Sequence, residues 1–329
     1  MRDLTIIIRE LLSNIHKQLG KYLQLFSIVA TLFVLAYTNG YTQGTDLERK
    51  ITIDGLEREY LVHLPSGYSS TSTCPVIFAL HGGGGNYENT PALYNLNAAA
   101  DKHHFMVVYP NAINKSWSMK GIGSMVKEND PGIDDVKFIS TLMDTLVRHH
   151  HADSTSFFCT GLSRGGIFSL FLASKLSGRF KAVASVCTSI PLSIADDFTF
   201  YPTSILLING TEDPLIPFDG GHGEISRSKR NEENHFISTH ELVQKIKTLN
   251  TCPELSMAHH MPNQEKGDKC KAIKTTYQCS GTRFTFIKVQ NGGHTWPGGP
   301  QYLSRSIIGN VCQDFKAEEE ILSFFIAVK

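Results

Sequence analysis

The chain has 329 residues, 41% of them hydrophobic and 19% charged, and its 31 Lys and Arg balance its 31 Asp and Glu. That length suits one large α/β domain or two small ones. A net charge of zero gives no support to a nucleic-acid partner or to an anionic membrane surface as target.

In chain order, the first element is an N-terminal segment in which Arg9, Lys17 and Lys21 precede an apolar run from Leu23 to Tyr37, followed by Thr38-Asn39-Gly40. This pattern predicts a secretory signal with a long basic leading region. The alternative is a membrane anchor, but the run falls short of the ~20 apolar residues that a spanning helix needs. No cysteine near its end supports a lipoprotein anchor. Residues 1–44 are therefore expected to be a signal peptide and mature N-terminal junction, cut between about residues 38 and 44, with no stable membrane anchor. Residues 45–329 are expected to form one exported domain, extracellular or periplasmic; its oligomeric state is left open.

Strand and helix patterns then alternate. Glu59–Leu64 alternates like a half-buried strand, and Pro75–Leu80 and Met106–Tyr109 are short apolar runs. Asp135 is placed to cap a helix whose Val136, Ile139, Leu142, Leu146 and Val147 recur at helical spacing. Ser156–Cys159 predicts a strand running into a turn at Ser163, and Ile167–Leu176 a mostly buried helix. Ala182–Val186 and Ile205–Ile208 predict two more strands, Thr239–Leu249 an amphipathic helix, Phe284–Val289 the last strand and Lys316–Val328 a closing helix. Such alternation implies an α/β fold, a mostly parallel sheet with helices on both faces in a single domain. Ligands then bind beyond the carboxyl ends of the strands. Three polar stretches, Asn111–Gly132, Asp219–Ser238 and Pro253–Thr276, are expected to cover that edge as loops or a partial lid.

Seven cysteines are present. Cys74, Cys159 and Cys187 fall in apolar runs and are expected to be buried thiols. Cys252, Cys270, Cys279 and Cys312 allow three pairings, and their spacings match no zinc pattern. Of the three, Cys252–Cys279 is preferred, because it would tie a helix end to the following strand. An odd total leaves at least one thiol free within a monomer.

Four chemical signals lie just after predicted strand ends: His81-Gly82-Gly83-Gly84-Gly85, Gly161-Leu162-Ser163-Arg164-Gly165, Asn209-Gly210-Thr211-Glu212-Asp213 and Gly292-Gly293-His294. A nucleophile, an acid and a base in the chain order Ser…Asp…His is the α/β-hydrolase order. Glycines two before and two after Ser163 permit a turn that lifts its hydroxyl above the sheet at a helix N-terminus. A serine hydroxyl is a weak nucleophile and needs a base, for which His294 is the best placed of fourteen histidines. Asp213 is preferred over Glu212 and Asp219 to hold that base in one tautomer. The backbone N–H of Arg164 and one from Gly83 or Gly84 are candidate donors to an oxyanion. Trp117 and Trp296 are weaker candidates for stacking on a substrate ring, with core packing the alternative.

These residues resemble a known group. Tyr60-Leu61-Val62-His63-Leu64-Pro65, PVIFALHGGGGN, Ile133-Asp134-Asp135-Val136, GLSRGG, NGTEDPLIPFDGG and GGHTWPGG together are similar to the secreted polyhydroxybutyrate depolymerase and feruloyl or acetyl-xylan esterase group, carbohydrate esterase family one. The resemblance runs from about Lys50 to the C-terminus. It implies Ser163, Asp213 and His294 as the triad, and Cys252 and Cys279 are placed like a disulfide of that group. Gly84 departs from it, standing where many members carry a larger residue, and Asp219–Ser238 is longer than usual. The expected activity is that of a secreted serine carboxylesterase needing no metal or cofactor, its partner a feruloyl or acetyl ester on plant cell-wall polysaccharide. The alternatives are a polyester depolymerase, a prolyl-oligopeptidase-type peptidase and a non-catalytic binding protein on the same scaffold.

Overall fold

A computed structural model describes residues 44–119, 132–196, 198–223 and 235–329, together with residues 21, 22 and 24. The expected signal segment thus lies almost wholly outside the described residues, as do 120–131 and 224–234 of two polar stretches. No helix among the described residues is long and apolar enough to cross a membrane. The chain divides between Gln43 and Gly44, and the strands of the described residues all lie in the second unit.

Ten of the strands form one sheet. In spatial order they are β1 (Thr45–Ile53), β2 (Leu56–Leu64), β4 (Met106–Pro110), β3 (Cys74–Leu80), β5 (Ala152–Leu162), β6 (Ala182–Val186), β7 (Ser204–Gly210), β12 (Arg283–Gln290), β11 (Lys271–Gln278) and β10 (Met257–His260). The six central strands, from β4 to β12, run parallel, and the two at each end pair antiparallel. A two-stranded ribbon pairs β8 (Gly221–His222) with β9 (His235–Phe236).

Among the described residues seven α-helices flank the sheet: α1 (Thr90–Tyr94), α2 (Leu96–His103), α3 (Asp135–His150), α4 (Arg164–Lys175), α5 (Thr239–Leu249), α6 (Arg305–Ile308) and α7 (Ala317–Val328). Their apolar faces cover the two sides of the sheet. Phe78 of β3 packs in the layer of Phe138, Ile167 and Leu242, from α3, α4 and α5. Its neighbour Ile77 packs in the layer of Leu96, Ile321 and Phe325, from α2 and α7. This alternation along one strand follows from the two-residue period of the pleat. Parallel strands covered on both faces need apolar residues at successive positions, and β3 and β6 are buried along their whole length.

Two parts of the sequence-based expectation change. Asp134, not Asp135, caps α3, accepting a hydrogen bond from the Lys137 N–H at 2.8 Å. Asp135 lies one residue inside and is fully buried, paired with Arg58 at 2.5 Å and accepting the Ser118 N–H at 2.6 Å. Burial favours its neutral form and raises its pKa, against the pull of Arg58 and the Ser118 N–H. The second change concerns Pro253–Thr276, which is no lid. It supplies β10 and most of β11, which extend the sheet beyond β12, at the far side from β3 and β4.

Cys252, just past α5, is bonded to Cys279, just past β11. Cys74, Cys159, Cys187, Cys270 and Cys312 are buried free thiols.

Candidate active site

The carboxyl ends of β3, β5, β7 and β12 bring the four sequence signals to one edge of the sheet. Ser163 sits between β5 and α4 with φ 59° and ψ −124°, a backbone conformation that L side chains disfavour. Its N–H donates to the Val186 carbonyl at 2.9 Å, and its carbonyl accepts from the Ile167 N–H and the Thr188 hydroxyl. The turn is possible because of Gly165: a Cβ there would collide with the carbonyl oxygen of Leu80 at the end of β3.

Asp213 and His294 are both nearly inaccessible, 6% and 2% exposed. His294 Nδ1 lies 2.7 Å from Asp213 Oδ2, while Asp213 Oδ1 accepts the N–H groups of Leu215 and Ile216 at 2.8 and 2.9 Å. A carboxylate held by three donors has one orientation available. Glu212 and Asp219, the weighed alternatives, are exposed. The buried Cys187 thiol lies beside this pair, and burial pushes its pKa well up.

The glycine run after β3 lies against the elbow. His81 is its anchor: its Nε2 accepts the Ala112 N–H at 3.1 Å, which leaves Nδ1 to donate to the Gly82 carbonyl at 2.8 Å. Burial lowers the His81 pKa and keeps the ring neutral, as both bonds require. Gly84 is a correction to the sequence-based expectation of an oxyanion donor. Its N–H is already given to the Lys115 carbonyl at 3.0 Å. Gly83 and Arg164 retain backbone N–H groups without an acceptor among the described residues.

A cleft of about 880 Å³ opens over these residues, lined by Ser163, Arg164, His294 and the Gly82–Gly85 run among others. Trp117 and Trp296 are not in its wall, contrary to the sequence-based suggestion. They are 1% and 0% exposed. Trp117 stacks on Phe168 and donates its Nε1–H to the His81 carbonyl at 2.8 Å. Trp296 stacks on Tyr94, ring centroids 4.1 Å apart, and donates to Glu318. Proximity to His294 in sequence does not say which way the indole turns.

Sequence reasoning missed Tyr94. Its buried hydroxyl donates to the Leu80 carbonyl and accepts the Leu162 N–H, at 2.8 and 2.9 Å, tying the end of β3 to the residue before Ser163. No motif marks it. Tyr302, also missed, donates to the His294 carbonyl at 2.9 Å from the cleft wall.

The Esterase family model matches residues 53–298. NocK of Nocardia uniformis subsp. tsuyamanensis, named as an esterase, is 28% identical over 288 residues, covering 86% of this chain and 83% of NocK. Feruloyl esterase C of Emericella nidulans is 34% identical over 170 residues, covering 50% of this chain. That match spans 58% of the Emericella protein. Acetyl xylan esterase from Aspergillus awamori shares the fold with a TM-score of 0.51 at 14% identity, covering 76% of this chain and 94% of that one. With the elbow, the buried Asp213–His294 pair and the cleft in place, the conclusion is that this chain belongs to the Esterase family and is a carboxylic ester hydrolase on the α/β-hydrolase fold.

Proposed function

We propose that the chain hydrolyses feruloyl or acetyl esters on plant cell-wall polysaccharide through an acyl-enzyme on Ser163, outside the cytoplasm and after removal of its N-terminal segment. The observation that carries the mechanism is the 2.7 Å bond from His294 Nδ1 to Asp213 in a cleft that His294 shares with Ser163. With Nδ1 committed to the carboxylate, Nε2 is the ring nitrogen left to take the Ser163 proton. Ser163 Oγ attacks the ester carbonyl, and the N–H groups of Arg164 and Gly83 receive the developing oxyanion. His294 then protonates the departing alcohol. Water attacks the acyl-enzyme with His294 again as base, releasing the acid and restoring Ser163.

The substrate class follows the relatives. A feruloyl esterase and an acetyl xylan esterase are among the proteins this chain resembles. Export agrees with the basic and apolar N-terminal segment and with the Cys252–Cys279 disulfide, a bond typical of oxidising compartments.

The test is chromatographic. Mature protein and a Ser163→Ala variant are incubated with feruloylated, acetylated xylan and with amorphous polyhydroxybutyrate, and the released acids are identified. Serine-dependent ferulate or acetate is the expected outcome. Release of 3-hydroxybutyrate alone would move the substrate to a polyester. Equal release by the variant would remove Ser163 from the chemistry.

A further inference from the structure

The cleft is chemically different on the two sides of Ser163. β5 leads into Ser163, with β3 and β4 to one side of it in the sheet and β6 and β7 to the other. From the β7 side come Leu215 and Ile216, joined by Phe236, an apolar wall. From the β3–β4 side come the glycine run and Asn114–Ser116, and here the wall is cationic. Arg164 and Lys115 both line the cleft, while no Asp or Glu does so among the described residues.

The cationic side is built rather than incidental. The Arg164 side chain crosses directly over Gly83, where even a Cβ would come within 2.9 Å of its Cδ. Its Nη1 then donates to Ser116 Oγ at 2.6 Å. Asn114 and Lys115 are both held at φ 55°, a left-handed conformation that two successive side-chain-bearing residues rarely adopt. The Gly84 N–H clamps this turn through the Lys115 carbonyl. A guanidinium presents five N–H donors in a planar fork, and Ser116 engages Nη1 only. Two cations in the wall of the cleft that holds Ser163, with no carboxylate among its described lining residues, present a site for an anion on the substrate.

We infer that the cleft selects esters that carry a carboxylate on the part of the substrate lying over the β3–β4 side, held by Arg164 and Lys115, with an apolar part against Leu215, Ile216 and Phe236. An ester on or next to an acidic sugar has this chemistry. The inference rests on the Ser163 acyl-enzyme proposed above.

The experiment compares two matched pairs at low salt. The pair methyl ferulate and the ferulate ester of glycolic acid places the added carboxylate on the alcohol side. The pair 4-nitrophenyl butyrate and mono-4-nitrophenyl glutarate places it on the acyl side. In one pair the acid is expected to exceed its neutral partner by about tenfold in kcat/KM, through KM, as one charge-assisted hydrogen bond across an open cleft allows. Added salt should shrink that ratio. Arg164→Gln and Lys115→Gln should each lower it, whatever they do to the neutral ester. Neutral esters turned over as well as or better than the acids in both pairs would overturn the inference while leaving the hydrolase intact. So would an acid preference unchanged in Arg164→Gln. No Ser163-dependent turnover of any of the four would overturn the acyl-enzyme itself, and this inference with it.

Discussion

The site is made of two halves built in opposite ways. On the Asp213–His294 side, side chains do everything: one carboxylate satisfies a ring nitrogen and two backbone N–H groups. On the Ser163–Gly83 side, the missing side chains matter. Gly165 sits where any Cβ would strike the Leu80 carbonyl, and Gly83 where one would strike Arg164. The first half can lose its chemistry and keep its shape. The second cannot, because its backbone path is its chemistry.

Four substitutions or conditions would sharpen or break that contrast. Asp213→Asn keeps an acceptor for Leu215 and Ile216 but gives His294 the wrong partner. Turnover should fall about 10⁴-fold with the melting temperature nearly unchanged, read by steady-state kinetics beside calorimetry. Gly165→Ala should cost both together, with at least about a hundredfold loss of kcat and stability lower by about 3 kcal/mol. A fully stable but inactive Gly165→Ala would refute the contrast. Tyr94→Phe removes the hydroxyl between Leu80 and Leu162, and urea denaturation should show a loss of about 1–3 kcal/mol. Its kcat should fall as well, since that hydroxyl orders the residue before Ser163.

The smallest effect is pH-dependent. Burial lowers the His81 pKa below its ordinary 6.5, so below that pH the unfolded chain binds a proton that the folded chain refuses. The stability that His81 contributes is fully present above about pH 6.5 and is lost as pH falls toward the folded-state pKa. Melting curves between pH 8 and 5 should show a loss that His81→Asn reduces.

How much was legible beforehand follows the same division of labour. Pro75–Leu80, Ala182–Val186 and Ile205–Ile208 could be placed because a parallel strand covered on both faces must be apolar at successive positions. Glu59–Leu64 in β2 was legible from its alternation, whereas β1, β10 and β11 were not. Lys271–Gln278 mixes lysines and threonines with apolar residues because most of it is only half-buried, and the four residues of Met257–His260 are all exposed. In the site, spacing singled out Ser163, Asp213 and His294 because their chemistry needs fixed residue types at strand ends. It could not separate Gly83 from Gly84, a matter of which N–H the Lys115 carbonyl takes. Nor could it place the tryptophans, whose direction depends on Phe168 and Tyr94, far away in sequence. Tyr94 itself is invisible without the contact between β3 and β5.

The torsion at Ser163 has a further consequence. Holding a side-chain-bearing residue at φ 59° costs about 1–3 kcal/mol that a glycine would not incur. Ser163→Gly should therefore be the more stable protein, and it would have no hydroxyl. Selection for folding alone would drift toward that glycine, so continued demand for the reaction keeps a hydroxyl at a position where the fold would sooner do without it.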